Sequence, residues 1–400
     1  MAVSSVIATA DQVMAATYKR FPIVITRGRG CRLIDETGRE YVDFIAGIAV
    51  CSLGHAHPRI ARVLAEQAAT LVHTSNLYYT VPQVELAAWL TVHSFADQVF
   101  FANSGAEANE AAIKVARKYF KDRDQPERFR IIAMQQSFHG RTLATLSATG
   151  QDKIKKGFAP TLDGFDFVPF NDAAALAAAI GPDTAAVLME PIQGEGGIRV
   201  PSADYLPAVR RLCDDAGILL IFDEIQTGMG RTGQLFAHLH FDTSPDIMTL
   251  AKALGNGLPI GVMLATAPVA AAFGPGSHGS TFGGTPLVTA AALEVARIFD
   301  EEDIVGQCRE TGAYFRAQLE ILRNRHDVIR DVRGRGLLLG LGLDTAAAPI
   351  VQACMEKGFL INGVQDQILR FAPPLIISKP EIDALVNCLE SIFSGGTAAG

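Results

Sequence analysis

The chain has 400 residues, 49% of them hydrophobic, and a net charge of −7. That balance supplies more than one core's worth of apolar side chains and argues against nucleic acid or an anionic membrane as a main partner. Six cysteines scattered without a CxxC pair, and an N-terminal MAVSSVIATADQV without a basic-then-apolar pattern, read as a reduced, cytoplasmic chain with no signal peptide.

In chain order, CRLIDETGREYVDF reads as a hairpin about Glu36-Thr37-Gly38. From about residue 57 the pattern changes to helices alternating with short apolar runs. Helices are expected over 60–72, 84–93, 106–119, 172–180 and 205–216, and strands over 99–102, 130–134, 185–189, 218–222, 246–250 and 259–264. Strands rich in Val, Ile and Leu without alternation imply a mostly parallel sheet covered on both faces. Beyond Thr285 two helices (287–299, 304–325), a strand (328–343), a helix (347–357), a strand (368–371) and a helix from Glu381 suit a smaller α+β domain. The expected division is therefore 1–56, contributing to the small domain, 57–285 as the large domain and 286–400 as the C-terminal small domain.

In an open parallel sheet, ligands bind beyond the carboxyl ends of the strands, so the residues just after each strand carry the candidate chemistry. Ser104 with Glu107 reads as a capping box, and the helix start at Gly105 and Ala106 offers free N–H groups to an anion. Phe138 is either core or a cover for an aromatic ring; Arg141 is either a surface ion pair or a bidentate carboxylate clamp. The glycines around Glu195 make a tight loop or let a ligand approach the backbone. Asp223 and Lys252 each end an apolar run. They read equally well as a capping aspartate with a snorkelling lysine, or as the two protein groups of pyridoxal chemistry: an amine for an aldehyde and a carboxylate for a pyridinium nitrogen.

Other features point away from rival chemistries. Gly228-Met229-Gly230-Arg231-Thr232-Gly233 matches G-x-G-x-x-G, the nicotinamide or flavin signature. However, DEIQT separates it from the preceding strand and no helical stripe follows. His55-x-His57 and His238-x-His240 lack further ligands at metal spacing, so no metal is expected. The basic run 153–156 (KIKK) reads as a solvated face, and the RGRG strings at 27–30 and 333–336 as turns into strands.

Taken in order, GRGCRLIDETGREYVDFIAGIAV, NSGAEANEAAIKVARKY, FHGRT, MEPIQGEGG, FDEIQTGMGRTG, TLAKALGNGLPIG, GSTFGGTPL and LRFAPPL resemble the class III aminotransferases. The likeness covers nearly the whole chain. It implies a fold type I pyridoxal-phosphate transferase: a large, mostly parallel α/β sheet domain with a smaller α+β domain. It further implies that Lys252 bonds covalently to pyridoxal 5'-phosphate and shuttles the proton, and that Asp223 keeps the ring nitrogen protonated. Gln226 would contact the ring's phenolic side, Gly105 and Ala106 the phosphate, and Phe138 the ring face. Ala106 stands where many relatives carry Ser or Thr, so a hydroxyl contact to phosphate is absent. Thr281 would reach the phosphate of the neighbouring subunit in a homodimer, with Ser280 near the substrate.

For substrates, the resemblance gives Arg141 a distant carboxylate and Arg370 the α-carboxylate of 2-oxoglutarate. Glu195 would pair with Arg370 while the donor is bound. Gly47, where relatives using free ornithine carry tyrosine, leaves room for an N-acylated donor. The expected reaction moves the terminal amino group of N2-acetylornithine to 2-oxoglutarate. Succinylornithine, ornithine and 4-aminobutyrate are alternative donors, and aminomutase chemistry an alternative on the same fold.

Overall fold

A computed structural model describes residues 5–395. Its strands, in chain order, are β1 (Ile25–Arg29), β2 (Arg32–Asp35), β3 (Glu40–Asp43), β4 (Gln98–Ala102), β5 (Arg130–Met134), β6 (Phe165–Val168), β7 (Thr184–Met189) and β8 (Leu219–Asp223). There follow β9 (Ile247–Leu250), β10 (Gly261–Ala265), β11 (Ile329–Arg335), β12 (Leu338–Leu343), β13 (Phe359–Leu360), β14 (Asn362–Val364) and β15 (Ile368–Phe371).

β4 to β10 form one seven-stranded sheet, ordered β4-β10-β9-β8-β7-β5-β6. β9, β8, β7, β5 and β6 run parallel, whereas β10 lies antiparallel to both its neighbours. The absence of alternation in the sequence has a direct cause. Ala186, Leu188, Leu219 and Ile221 pack on one face with the helix Gly105–Lys121, and the intervening Val187, Met189, Leu220 and Phe222 pack on the other with the helix Tyr205–Ala216. Because successive strand side chains point to opposite faces, burial of both faces demands an apolar residue at every position.

Two four-stranded sheets complete the architecture: β1-β2-β3-β13 and β11-β12-β15-β14. β13 joins β3 in parallel, pairing Phe359 with Val42, so the N-terminal hairpin is completed by a strand from near the other end of the chain.

The structure differs from the sequence expectations in three places. The run 328–343, read as one strand, is the β11–β12 hairpin. Gly334 (φ 113°) and Gly336 (φ 54°) take left-handed backbone at its turn, and a Cβ on Gly336 would lie 2.4 Å from the Thr232 carbonyl carbon. β6 and the short helices Leu143–Ala148 and Asp152–Lys155 were not expected, since each is too short to show a period. The capping box is half formed: the Ser104 hydroxyl accepts from Glu107 N (3.2 Å), but Glu107 reaches past the cap to Asn103 N (2.6 Å). Among the described residues no helix is long and apolar enough to cross a membrane.

Candidate active site

The loops after β4, β5, β7, β8 and β9, with the turn before β10, converge on a cavity of about 500 Å³. Its lining includes Gly105, Ala106, Phe138, Arg141, Glu195, Asp223, Gln226 and Lys252. Strand direction explains the convergence, because parallel strands present all their carboxyl ends to the same edge.

Asp223, the last residue of β8, is only 3% exposed. Its Oδ1 accepts from Ile225 N (3.0 Å), and its Oδ2 meets Asn109 Nδ2 (2.7 Å) and His139 Nδ1 (2.8 Å). Asn109 is itself held, donating to His139 O (2.8 Å) and accepting from Thr249 Oγ1 (2.8 Å). The carboxylate therefore has one orientation, fixed by groups on four segments.

Lys252 follows β9 with φ 43°, a left-handed conformation that costs a non-glycine residue roughly 1–3 kcal/mol. Among the described residues its Nζ has no hydrogen-bond partner, and the residue borders the cavity. Burial lowers the lysine pKa and Arg370 acts in the same direction, while Glu195, Asp223 and Glu190 oppose them. The net shift is toward the neutral, nucleophilic amine. Glu190, accepting from Phe138 N (3.2 Å) and Gly194 N (3.1 Å), is pushed up to about 8, chiefly by burial and next by Asp223.

At the far side of the cavity Glu195 forms a short ion pair with Arg370, which β15 supplies and which is 2% exposed. Gln226 Nε2 also donates to Glu195 Oε1 (3.3 Å), and Arg370 Nε donates to Asn362 Oδ1 (3.2 Å). Burial alone raises the Glu195 pKa, but the guanidinium outweighs it and the net shift is downward. Gly194 makes this geometry possible: a Cβ there would fall 2.0 Å from Gln226 Oε1. Arg141 is exposed, with its guanidinium 5.7 Å from the Phe138 ring centroid and no carboxylate partner.

Other expected residues lie elsewhere. Ser280 and Thr281 do not line the cavity of their own chain. Ser280 Oγ accepts from Asn103 Nδ2 (3.0 Å) and Gly283 N (3.0 Å), and Thr281 is exposed beside a separate small pocket. Gly47 sits in a short left-handed run from Ala46 to Ala49 (φ 50° to 68°), next to cavity-lining Val50. A Cβ there meets nothing closer than 3.7 Å, so glycine relieves backbone conformation rather than crowding. The G-x-G-x-x-G segment is a buried turn. Arg231 within it is fully buried and donates to Leu337 O (3.1 Å) and Pro373 O (2.6 Å), and only a short 3₁₀ turn, Ala237–Phe241, follows. Asn109, His139 and Glu190 are site residues that sequence reasoning missed.

The model of the family described as "Aminotransferase class-III" matches residues 13–393. The chain belongs to this family. Class III aminotransferases are pyridoxal-phosphate-dependent transaminases, and this chain is one of them. It is 52% identical over 386 residues to an acetylornithine aminotransferase of Gloeobacter violaceus, covering 96% of each chain. Among solved structures, the ornithine aminotransferase of Toxoplasma gondii superposes with a TM-score of 0.94 at 35% identity (98% of this chain, 94% of that one). The N-acetylornithine aminotransferase of Stenotrophomonas maltophilia gives 0.84 at 38% identity (98% and 99%). Backbone likeness thus extends to relatives named for different donors, so the fold alone does not choose between them.

The residues present fit the cofactor. The Lys252 amine is unpartnered and faces the cavity, and an immobilised carboxylate stands at Asp223. The N-terminus of the 17-residue helix Gly105–Lys121 opens into the same space.

Proposed function

We propose that this aminotransferase moves the terminal amino group of N2-acetylornithine to 2-oxoglutarate, giving N-acetylglutamate 5-semialdehyde and glutamate by a ping-pong route. The observation that carries the reading is the Glu195–Arg370 pair inside the cavity that holds Lys252. One pocket must take a donor whose reacting carbon bears no carboxylate, then an oxo acid whose reacting carbon bears one. An arginine masked by an exchangeable glutamate meets both needs: the pair stays closed for the first substrate and opens for the second. The 52% identity to a relative named for acetylornithine supports the choice of donor.

When bound, pyridoxal phosphate supplies an electron-withdrawing ring that makes the amine-bearing carbon acidic. The roles of the protein follow from its own groups. Gly105 and Ala106 would offer helix-start N–H groups to the phosphate, and Phe138 would cover the ring face. Asp223, held by Asn109 and His139, would keep a proton on the ring nitrogen, and Gln226 would contact its phenolic side. Lys252 Nζ, its pKa lowered by burial, would be the covalent attachment point and the base for the proton on the substrate carbon. Arg141 takes the carboxylate remote from the reacting carbon, and Gly47 leaves space for the acyl group.

The same reading makes the enzyme a cytoplasmic homodimer whose Thr281, with Ser280 beside it, serves the neighbouring subunit's site. The exposure of Leu77 (84%), Tyr79 (96%) and Phe282 (61%) supports a partner over this surface. It also divides the chain at 57 and 285, a division that the β3–β13 pairing supports. The deciding experiment compares kcat/KM for acetylornithine, succinylornithine, ornithine and 4-aminobutyrate with 2-oxoglutarate as acceptor. We expect acetylornithine to lead, and a clear preference for free ornithine would overturn the proposed donor.

A further inference from the structure

A second cavity, of about 1110 Å³, opens off the active site and shares Phe138, Arg141 and Glu195 with it. Its charge is one-sided. Lys19, Arg20, Arg141, Lys153 and Lys156 line it, against the carboxylates of Glu195 and Asp366 alone. Glu195 is already neutralised by Arg370. Among the described residues the five cations have no carboxylate partner; Arg20 lies over the Tyr18 ring (5.4 Å) and Arg141 over Phe138.

The KIKK run, which reads in sequence as a solvated face, accounts for two of these charges. On the short helix Asp152–Lys155 and its cap, positions 153 and 156 are three apart and fall on the same side, toward the cavity. Lys155 turns away, its Nζ 3.9 Å from the centroid of the Phe167 ring. The chain as a whole carries −7, so this concave cluster of cations stands against the net charge of the molecule. Concave walls of one sign concentrate field lines and raise on-rates for the opposite charge by roughly 10- to 10³-fold.

We propose that this vestibule is an anion-collecting site, built on Lys153, Lys156, Lys19 and Arg20, that admits the dicarboxylate oxo acid faster than the amine donor. The inference rests on the substrate reading above. N2-acetylornithine, with one ammonium and one carboxylate, has no net charge for the field to act on, whereas 2-oxoglutarate carries two negative charges. The vestibule therefore gives one half-reaction an electrostatic advantage that the other lacks, ahead of any contact with Arg370.

The test is the double variant K153Q/K156Q, with K153E/K156E as the stronger arm, in the loaded enzyme. Each half-reaction is followed separately by single-turnover absorbance at low and at about 0.5 M salt, where screening reduces the field's reach to a few ångströms. The expected result is a fall of roughly 3- to 10-fold in kcat/KM for 2-oxoglutarate at low salt, larger for charge reversal, with kcat unchanged. The donor half-reaction should keep the wild-type rate, and the difference should vanish at high salt. Equal loss in both half-reactions, or a salt dependence unchanged from wild type, overturns the proposal. Oxaloacetate and pyruvate, run alongside, separate charge from identity: a loss larger for dianionic oxaloacetate than for monoanionic pyruvate supports the vestibule, and equal loss overturns it. A wild type that cannot pass its amino group to 2-oxoglutarate overturns the acceptor reading instead, and is recognised before any variant is compared.

Discussion

Asp223 and Arg370 are both charged, both almost wholly buried and both beside the same cavity, yet they are held in opposite ways. Asp223 is fixed by Asn109, His139 and the Ile225 N–H, three groups of the protein framework that leave its carboxylate one orientation. Arg370 is held mainly by Glu195, a side chain 28% exposed on a loop flanked by glycines. The first arrangement has one state. On the proposed function the second is exchangeable, because an incoming carboxylate offers the guanidinium the same bonds that Glu195 gives up. On that reading, chemistry common to both halves of the reaction sits on the fixed group, and the choice between substrates sits on the exchangeable one.

The sharpest way to break the comparison is at the fixed end. Lys252→Ala should lower turnover by about 10⁴-fold or more while the protein stays folded and cooperative in thermal melts, since no partner loses a hydrogen bond. Near-wild-type transamination would remove Lys252 from its role. At the exchangeable end, Arg370→Gln should cut kcat/KM for 2-oxoglutarate by roughly 10²- to 10³-fold, the scale of a broken buried charge pair. The donor half-reaction should move far less, and parallel losses would show that Arg370 is structural. Glu195→Gln is the milder converse. It should slow the donor half-reaction about tenfold, leave the acceptor half near wild type and weaken rejection of donors bearing a carboxylate beside the amine. Unchanged donor selectivity would remove Glu195 as the mask.

The smallest effect lies outside both regions. The hydrogen bond to Asp43 (2.8 Å), and after it one to Cys51, raise the His55 pKa from 6.5 to about 9. A raised histidine pKa adds stability that is fully present below the unfolded value and is lost as pH climbs through the folded one. His55→Gln should therefore be less stable than wild type at pH 6, by at most about 3 kcal/mol, and the gap should close by about pH 10. Denaturant midpoints at the two pH values measure it, and a constant gap would mean that the imidazolium–carboxylate pair contributes nothing.

Much of this architecture was legible because burial on both faces writes itself into sequence. β7 is apolar from Ala185 to Met189 and β8 from Leu219 to Phe222, and the residues at their ends had to lie at the sheet's carboxyl edge. Lys252, Asp223 and Glu195 were accordingly nameable before any coordinates, whereas Arg370 was named only through the resemblance to the class III aminotransferases. The supports of Asp223 were not. Asn109 looks like one more polar residue in an alanine-rich helix, and its task arises only because that helix lays it against β8 and β9. The glycine-rich match at 228–233 was set aside for a related reason: a spacing of glycines records tight turns, and only the chain around it tells whether the turn cradles a phosphate or buries Arg231. The 328–343 run hid its turn because Gly334 and Gly336 sit among strand-forming residues on both sides.

The β3–β13 pairing has a bearing on how the enzyme is made. Val42 finds its parallel neighbour only at Phe359, so the sheet that carries the N-terminal segment cannot close until nearly all of the chain has left the ribosome. The β7–β8 region, by contrast, has all its neighbours in hand well before then. Contacts this distant in sequence carry the slow, late steps of folding. Lys19 and Arg20, which precede β1, line the mouth of the active site together with Val351 and Gln352 from the last sixth of the chain. The nascent protein therefore assembles its Asp223 anchorage early and its charged entrance last.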